Sequence, residues 1–301
     1  MTLSLKPTEA WPTRATGTFK ERFLADVDSL PPLPPVAPVV ARIMEILQDY
    51  QVSTHDVAQL LREDPGLTVR VLKIANSPVY GAYMPITSVA QAVLRLGMGH
   101  IRNIILTLGV LQSIGGPARR DFWRHSVTVA LATEVIAQHA AAAREEAEAD
   151  GAFAAGLLHD VGLLVLREHY PAVYAEVNRL AEERGLPLHE VEMAELQTDH
   201  GRMGALLASR WTLPAAIVSA IAFHHQPELA PASDRGVVDL VHLAVCLCAC
   251  AGLGGPGGAV PTDPAPETLD NLGLRPASLS QIIEATQAAA QKSLVIVELA
   301  R

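Results

Sequence analysis

The run "GLLHDVGLLVL", residues 156–166, places a histidine and an aspartate, His159 and Asp160, side by side in an otherwise apolar stretch. Burying such groups without partners costs on the order of several kcal/mol. The pair therefore needs either hydrogen bonds inside the protein or a bound cation. This stretch alone leaves both alternatives open.

The sequence around this run is typical of a helical protein. Of its 301 residues, 50% are hydrophobic and only 4% are aromatic, which favours an alanine- and leucine-rich helical core over an aromatic-rich β-sandwich. Apolar residues recur at helical spacing, as in Ile101, Ile104 and Leu108, and strand-like alternation is nearly absent. We therefore predict an all-α fold.

Prolines, glycines and charges divide the chain into five segments. They are a leader (1–21), an N-terminal helical subdomain (22–120), a second helical subdomain (121–252), a Gly/Pro-rich loop (253–277) and a C-terminal helix (278–301). Within the first subdomain, Ser88 and Gly97 are predicted to begin and end a helix. At the end of the last helix, the run "LVIVEL" is also compatible with a strand.

Charge and hydropathy limit the functional classes. The formal net charge is −9 and no cluster of Lys and Arg is present, which argues against a general nucleic-acid or anionic-membrane surface. No signal peptide and no apolar run of roughly 18 residues is evident, so we expect a cytoplasmic protein without a membrane span. Cys246, Cys248 and Cys250 alternate with apolar residues and are interpreted as structural thiols.

Further histidines accompany the pair at 159–160. Imidazole and carboxylate ligands suit zinc, iron, manganese or nickel, and packed helices can direct such side chains at one centre. The spacing is unlike that of a zinc finger, so the fold has to bring the ligands together. We predict a common cavity that holds a divalent transition metal, with six ligands: His125, His159, Asp160, His200, His224 and His225.

Each of these residues also has a purely structural interpretation. His159 and Asp160 form a hydrogen-bonded core pair in that reading, and His125 is a capping or core histidine. His200 follows Asp199 at a helix start, so it competes as an N-terminal cap. One member of the pair at 224–225 is expected to face inward. The other histidines are interpreted as ordinary polar or interfacial residues: His55, His100, His139, His169, His189 and His242.

The order of the six candidate ligands resembles the HD superfamily of metal-dependent phosphohydrolases, particularly its HD-GYP branch. More specifically, "REDPGLTVRVLKIANSPVYG", "SVAQAVLRLGMGHIRNIIL", "FWRHSVTVA" and "SRWTLPAAIVSAIAFHHQPE" resemble the HDOD family, over about residues 30–244. The resemblance implies an N-terminal helical subdomain packed on an HD-like helical bundle. It also implies a place in bacterial signal transduction.

Three departures from active HD enzymes bear on function. The resemblance aligns Val245 with a metal-binding aspartate and Leu163 with a phosphate-facing lysine, and no Gly-Tyr-Pro segment follows His225. Phosphodiester hydrolysis needs a metal-bound hydroxide and positive charge around the phosphate oxygens. The prediction is therefore a non-enzymatic output or adaptor module that binds a signalling protein, with a nucleotide as a second candidate ligand.

The alternative is a metal-dependent phosphohydrolase acting on a nucleotide or a cyclic dinucleotide, with His159 and Asp160 as catalytic residues. A further stretch, "NSPVYG" at residues 76–81, is interpreted either as a helix-to-helix corner or as part of a partner or ligand groove between the two subdomains. In the second case Tyr80 and Tyr83 lie at the rim of that groove, and the partner surface extends to "HIRNII" at residues 100–105.

Overall fold

A computed structural model describes Ser53, Val57, Leu61 and residues 65–77, 85–114, 120–140, 146–211, 213–253, 255 and 262–299. All regular secondary structure in these residues is helical, which confirms the predicted all-α fold. No helix among them is long and apolar enough to cross a membrane. The predicted leader, Tyr80, Tyr83 and the side chain of Arg102 lie outside the described part of the chain.

Three helices form the described part of the first subdomain: α1 (Pro65–Ala75), α2 (Val89–Leu96) and α3 (Met98–Ile114). The Ser88 hydroxyl accepts a hydrogen bond from the Gln91 N–H at 3.2 Å, and Gly97 ends α2 with a φ of +86°. Both predicted caps are confirmed. The Asn76 side chain follows α1 and bonds both the N–H and the carbonyl of Ile86, each at 2.7 Å.

The second subdomain is a bundle around one polar cluster. Its helices are α4 (Arg120–His139), α5 (Glu146–Leu158), α6 (Val161–His169), α7 (Pro171–Arg184), α8 (Leu188–Leu196), α9 (His200–Arg210), α10 (Ala215–Phe223) and α11 (Arg235–Cys250). Helix α4 packs against α5 and α11, and α9 packs against α6 and α10. These contacts place the end of α5 and the start of α9 near one point in the core.

The C-terminal region contains more helix than the sequence suggested. Residues 253–277, predicted as a loop, include the short helix α12 (Thr268–Asn271), and α13 (Leu279–Leu299) follows. The buried Asp239 carboxylate holds α12 by accepting hydrogen bonds from the Thr268 hydroxyl at 2.9 Å and the Asn271 amide at 2.8 Å. The strand alternative for "LVIVEL" is wrong, because residues 294–299 continue α13. Helix α13 packs on α4.

A close backbone contact sets the distance between α6 and α9. A Cβ atom on Gly162 would lie 1.9 Å from the His200 carbonyl oxygen and 2.8 Å from the Gly204 amide nitrogen. Only glycine permits this approach at residue 162. The contact brings the N-terminus of α6, where Asp160 lies, against the first turn of α9, where His200 lies.

Candidate metal centre

The Asp160 carboxylate is the centre of the polar cluster. His159 and Asp160 occupy the turn between α5 and α6, His125 projects from α4, His200 begins α9, and His224 follows α10. Asp160 Oδ2 lies 3.2 Å from the Nε2 of His159 and 3.8 Å from that of His125. Asp160 Oδ1 lies 3.2 Å from the Nε2 of His200 and 3.6 Å from that of His224. Four imidazoles therefore surround one carboxylate.

His225 completes the set at the edge of the cluster. Its Nε2 lies 3.0 Å from the Nε2 of His200, and the residue is half-buried. The potential ligand atoms fall into two groups, within each of which they lie no more than 4.8 Å apart. The four-ligand group is Asp160, His200, His224 and His225, and the three-ligand group is His125, His159 and Asp160. The structure thus brings all six residues together, while their role as ligands stays a prediction.

Hydrogen bonds fix which nitrogen of each ring faces the carboxylate. His159 Nδ1 lies 2.7 Å from the Gly156 carbonyl oxygen, and His224 Nδ1 lies 2.9 Å from that of Ile221. A carbonyl oxygen only accepts, so each Nδ1 carries the proton and donates it. In the neutral ring the Nε2 atom then has a lone pair. This is the pattern of metal-binding histidines, whose second nitrogen is held by a backbone or carboxylate oxygen.

A cation fits between these lone pairs and Asp160. His224 is fully buried, and its Nε2 has no hydrogen-bond partner although a carboxylate oxygen lies 3.6 Å away. Two hydrogen-bond acceptors that face each other in a buried site need a proton or a metal ion between them. Burial, followed by the neighbouring His159, lowers the pKa of His224 well below its ordinary value. A proton on His224 is therefore disfavoured near neutral pH, and the residues fit a metal ion.

Two carboxylates set the electrostatics of the cluster. Burial alone would raise the pKa of Asp160, but the charges and hydrogen bonds of His159 and His200 outweigh it and hold that pKa well below its ordinary value. Burial likewise opposes a charge on His200, yet Glu192 and Asp160 raise the pKa of His200 well above its ordinary value. In the metal-free protein His200 therefore carries a proton that a bound metal ion must displace.

Three residues that the sequence analysis did not assign to the site support its ligands. The Glu192 carboxylate accepts a hydrogen bond from His200 Nδ1 at 2.6 Å. His242 donates from Nδ1 to the His224 carbonyl at 2.6 Å, and His189 stacks on His225 with ring centroids 3.9 Å apart. His189 and His242 are thus more than the ordinary polar residues that we expected.

One sequence signal was available for Glu192. It lies midway between Leu188 and Leu196 at intervals of four residues, on a face of α8 that is otherwise apolar. His242 and His189 gave no comparable signal, because their partners lie 18 and 36 residues away in sequence.

The capping interpretation of His200 is wrong. Asp199 is the N-cap of α9, and its Oδ1 accepts the Arg202 N–H at 2.8 Å. His200 is the first residue of the helix, and its side chain points inward at 3% exposure. The Arg202 guanidinium bonds Asp199 and Gln226. The cap therefore fixes the start of the helix on which the candidate ligand His200 lies.

The protonation of these histidines predicts how stability depends on pH. Burial lowers the pKa values of His224, His225 and His242, and lowers that of His189 to about 4. These four rings stay neutral in the folded state while the unfolded chain takes up protons below about pH 6.5. Each therefore lowers the free energy of unfolding by up to about 1.4 kcal/mol per pH unit as the pH falls from 6.5.

His200 acts in the opposite direction, because its pKa is raised in the folded state. Its contribution to the free energy of unfolding is fully present below pH 6.5 and is lost as the pH rises through the pKa of His200 in the folded protein. The contribution of Asp160 is constant above about pH 4 and is lost only at lower pH. We expect the metal-free protein to lose stability between pH 7 and pH 5, measured by urea denaturation. Constant or rising stability over that range would contradict the assigned protonation states.

Comparison with known proteins agrees with this architecture. The family model of the HDOD domain matches residues 33–227. An HDOD domain protein of unknown function from Geobacter sulfurreducens has 31% sequence identity and a TM-score of 0.69, with 93% of this chain and 92% of that chain covered. A candidate phosphohydrolase from Shewanella amazonensis SB2B has 23% identity and a TM-score of 0.67, with 93% and 98% covered, and shares the fold.

Two longer proteins are also similar. A candidate signal transduction protein from Marinobacter aquaeolei VT8 has 22% identity and a TM-score of 0.77, with 92% of this chain and 61% of that chain covered. An uncharacterized protein of Treponema pallidum (strain Nichols) is 28% identical over 221 residues, so the match spans 42% of that relative's length. The match to the family model covers well over half of this sequence. The chain belongs to the HDOD domain family.

Proposed function

We propose that this protein is a signalling output module that acts by binding a protein partner, and that its histidine and aspartate cluster is a divalent metal centre without turnover. The observation that carries this proposal is the enclosure of the cluster. His159, Asp160, His200 and His224 are each at most 5% exposed. A phosphodiester has to reach a metal-bound hydroxide to be hydrolysed. An enclosed centre favours binding over hydrolysis.

The residues beside the cluster support the same proposal. Leu163, at the position that the resemblance aligns with a phosphate-facing lysine, is 1% exposed and belongs to the apolar core. Val245, aligned with a metal-binding aspartate, also packs against that core. An apolar side chain neither binds a metal nor neutralises a phosphate. These two positions weaken metal binding and leave the site without the charge that phosphoryl chemistry needs.

The metal would be held by the Nε2 atoms of His200 and His224 and by the carboxylate of Asp160, whose Oδ1 faces these two rings. The rings of His159 and His125 face the other carboxylate oxygen, Oδ2. A bound divalent ion would supply positive charge between these acceptors. Because its ligands come from several helices, the ion would link the end of α5, the start of α9 and the end of α10. This role requires no access for a substrate.

The proposed partner surface spans the junction of the two helical subdomains, near residues 76–81 and 100–105. Two large apolar side chains on the neighbouring helices support it. Leu94 on α2 is 89% exposed, and Val69 on α1 is 52% exposed. In this proposal a protein partner covers both side chains and removes their apolar surface from water. Asn76, the first residue of the stretch 76–81, bonds the backbone of Ile86.

Metal analysis and a phosphodiesterase assay on one preparation test this proposal. We expect the full chain loaded with manganese or iron to retain metal, yet to hydrolyse bis(p-nitrophenyl) phosphate and cyclic dinucleotides no faster than its His159→Ala variant. The His139→Ala variant is the matched control, because His139 lies exposed at the end of α4 and its ring bonds the Val135 carbonyl of the same helix. Turnover that His159→Ala abolishes and His139→Ala leaves intact would establish the phosphohydrolase alternative instead.

A further inference from the structure

We infer that Glu192 is the second carboxylate of the metal centre and acts through His200. Together with Asp160 it balances the charge of one divalent ion in the four-ligand group. This inference rests on the metal centre proposed above. In this account Glu192 is a positioning residue, since its described contacts are with His200. It replaces the negative charge that Val245 cannot provide.

Both described hydrogen bonds of the Glu192 side chain come from one histidine. Its side chain is 0% exposed, and its Oε2 accepts hydrogen bonds from both the Nδ1 and the backbone N–H of His200, at 2.6 and 2.9 Å. These bonds leave the His200 Nε2 facing Asp160 Oδ1 at 3.2 Å. A carboxylate behind a metal-binding imidazole fixes the ring and strengthens it as a ligand.

The position of Glu192 in α8 shows that the carboxylate is held in the core. It lies one turn after Leu188 and one turn before Leu196, on the face that packs inward. A buried carboxylate is costly unless a nearby positive charge compensates it. Its second oxygen, Oε1, is buried and has no hydrogen-bond partner. Compensation therefore has to come through His200 and the charge beyond it.

A count of charges then sets the number of metal ions. Asp160 and Glu192 carry two negative charges, and the imidazoles are neutral when they bind metal through Nε2. One divalent ion balances the two carboxylates, whereas a second ion would need further anionic ligands that these side chains do not supply. Because Glu192 contacts His200, which belongs to the four-ligand group, the single ion is assigned to that group.

Titration of the metal-free full chain with cobalt(II) tests this inference. We expect one cobalt(II) ion per chain by equilibrium dialysis. Glu192→Gln should weaken binding by about 10- to 100-fold and change the visible cobalt(II) spectrum, while the control Glu190→Gln should stay within about twofold of the unsubstituted chain. Glu190 is exposed and lies on the same helix. A purely structural role of Glu192 would lower the melting temperature of the metal-free variant without changing affinity or spectrum.

The outcomes separate this inference from the metal centre itself. A folded Glu192→Gln variant that binds cobalt(II) as tightly as the unsubstituted chain would overturn the role of Glu192 and leave the metal centre standing. If the variant does not fold, the number of cobalt(II) ions bound by the unsubstituted chain tests the inference. One ion per chain supports the charge balance, and two ions retained after dialysis would overturn it. No cobalt(II) binding by the unsubstituted chain would reject the metal centre and this inference together.

Discussion

The Asp160→Asn variant is expected to bind a divalent metal more than about 100-fold more weakly than the unsubstituted protein. Asp160 is the one carboxylate that four imidazoles approach within 3.8 Å, and both candidate ligand groups include it. Loss of a residue that only supports a ligand costs about 10- to 100-fold in metal affinity, and loss of a carboxylate that itself carries the balancing charge should cost more. The measurement is a cobalt(II) or manganese(II) titration at pH 7.5.

Asp121→Asn is the matched control for this experiment. Asp121 lies at the start of α4, its side chain is 90% exposed, and it lies 3.9 Å from the Arg124 guanidinium. We expect the control to bind metal like the unsubstituted chain. Equal affinities of the Asp160→Asn and Asp121→Asn proteins would show that the carboxylate at the centre of the cluster is not a ligand.

The largest effect on stability is expected from Gly162→Ala. The new Cβ would lie 1.9 Å from the His200 carbonyl oxygen, and neither backbone can move without separating α6 from α9. Such a clash costs more than about 4 kcal/mol, a large part of the stability of a typical domain. We therefore expect this variant to be unfolded or to lose its cooperative transition in circular dichroism. It should also lose metal binding, because the contact holds Asp160 against His200.

Gly151→Ala is the control for that clash. Gly151 lies within α5, and an added Cβ would meet nothing within 4 Å. Replacing glycine by alanine in a helix interior stabilises by up to about 1 kcal/mol. A Gly162→Ala protein as stable as the Gly151→Ala protein would mean that α6 and α9 do not meet as described.

The helices themselves could be predicted from local sequence. Apolar residues that recur at the helical period of 3.6 predicted the all-α fold. The capping preferences of serine and glycine correctly placed the ends of α2 at Ser88 and Gly97. The run "LVIVEL" was ambiguous because a short apolar run fits a buried strand or a buried helix equally well. Its place at the end of the 21-residue helix α13 resolves the ambiguity.

The candidate site could be predicted only in part. Apolar flanks and the family resemblance identified the six residues that meet at Asp160. Glu192 could have been noticed from its place between two leucines on α8, but its contact with His200, like the contacts of His189 and His242, depends on how the helices pack. No local pattern encodes that packing. His200 illustrates the same limit, since its position after Asp199 suggested a cap and only the fold shows that its ring faces the core.

Anomalous scattering from crystals of the metal-loaded protein tests the central claim most directly, with data collected at the absorption edge of the added metal. The metal centre proposed here predicts a single strong peak about 2.0–2.2 Å from the Nε2 atoms of His200 and His224 and from a carboxylate oxygen of Asp160. An absence of anomalous signal among these side chains, with direct hydrogen bonds between the imidazoles and Asp160 in its place, would contradict the account.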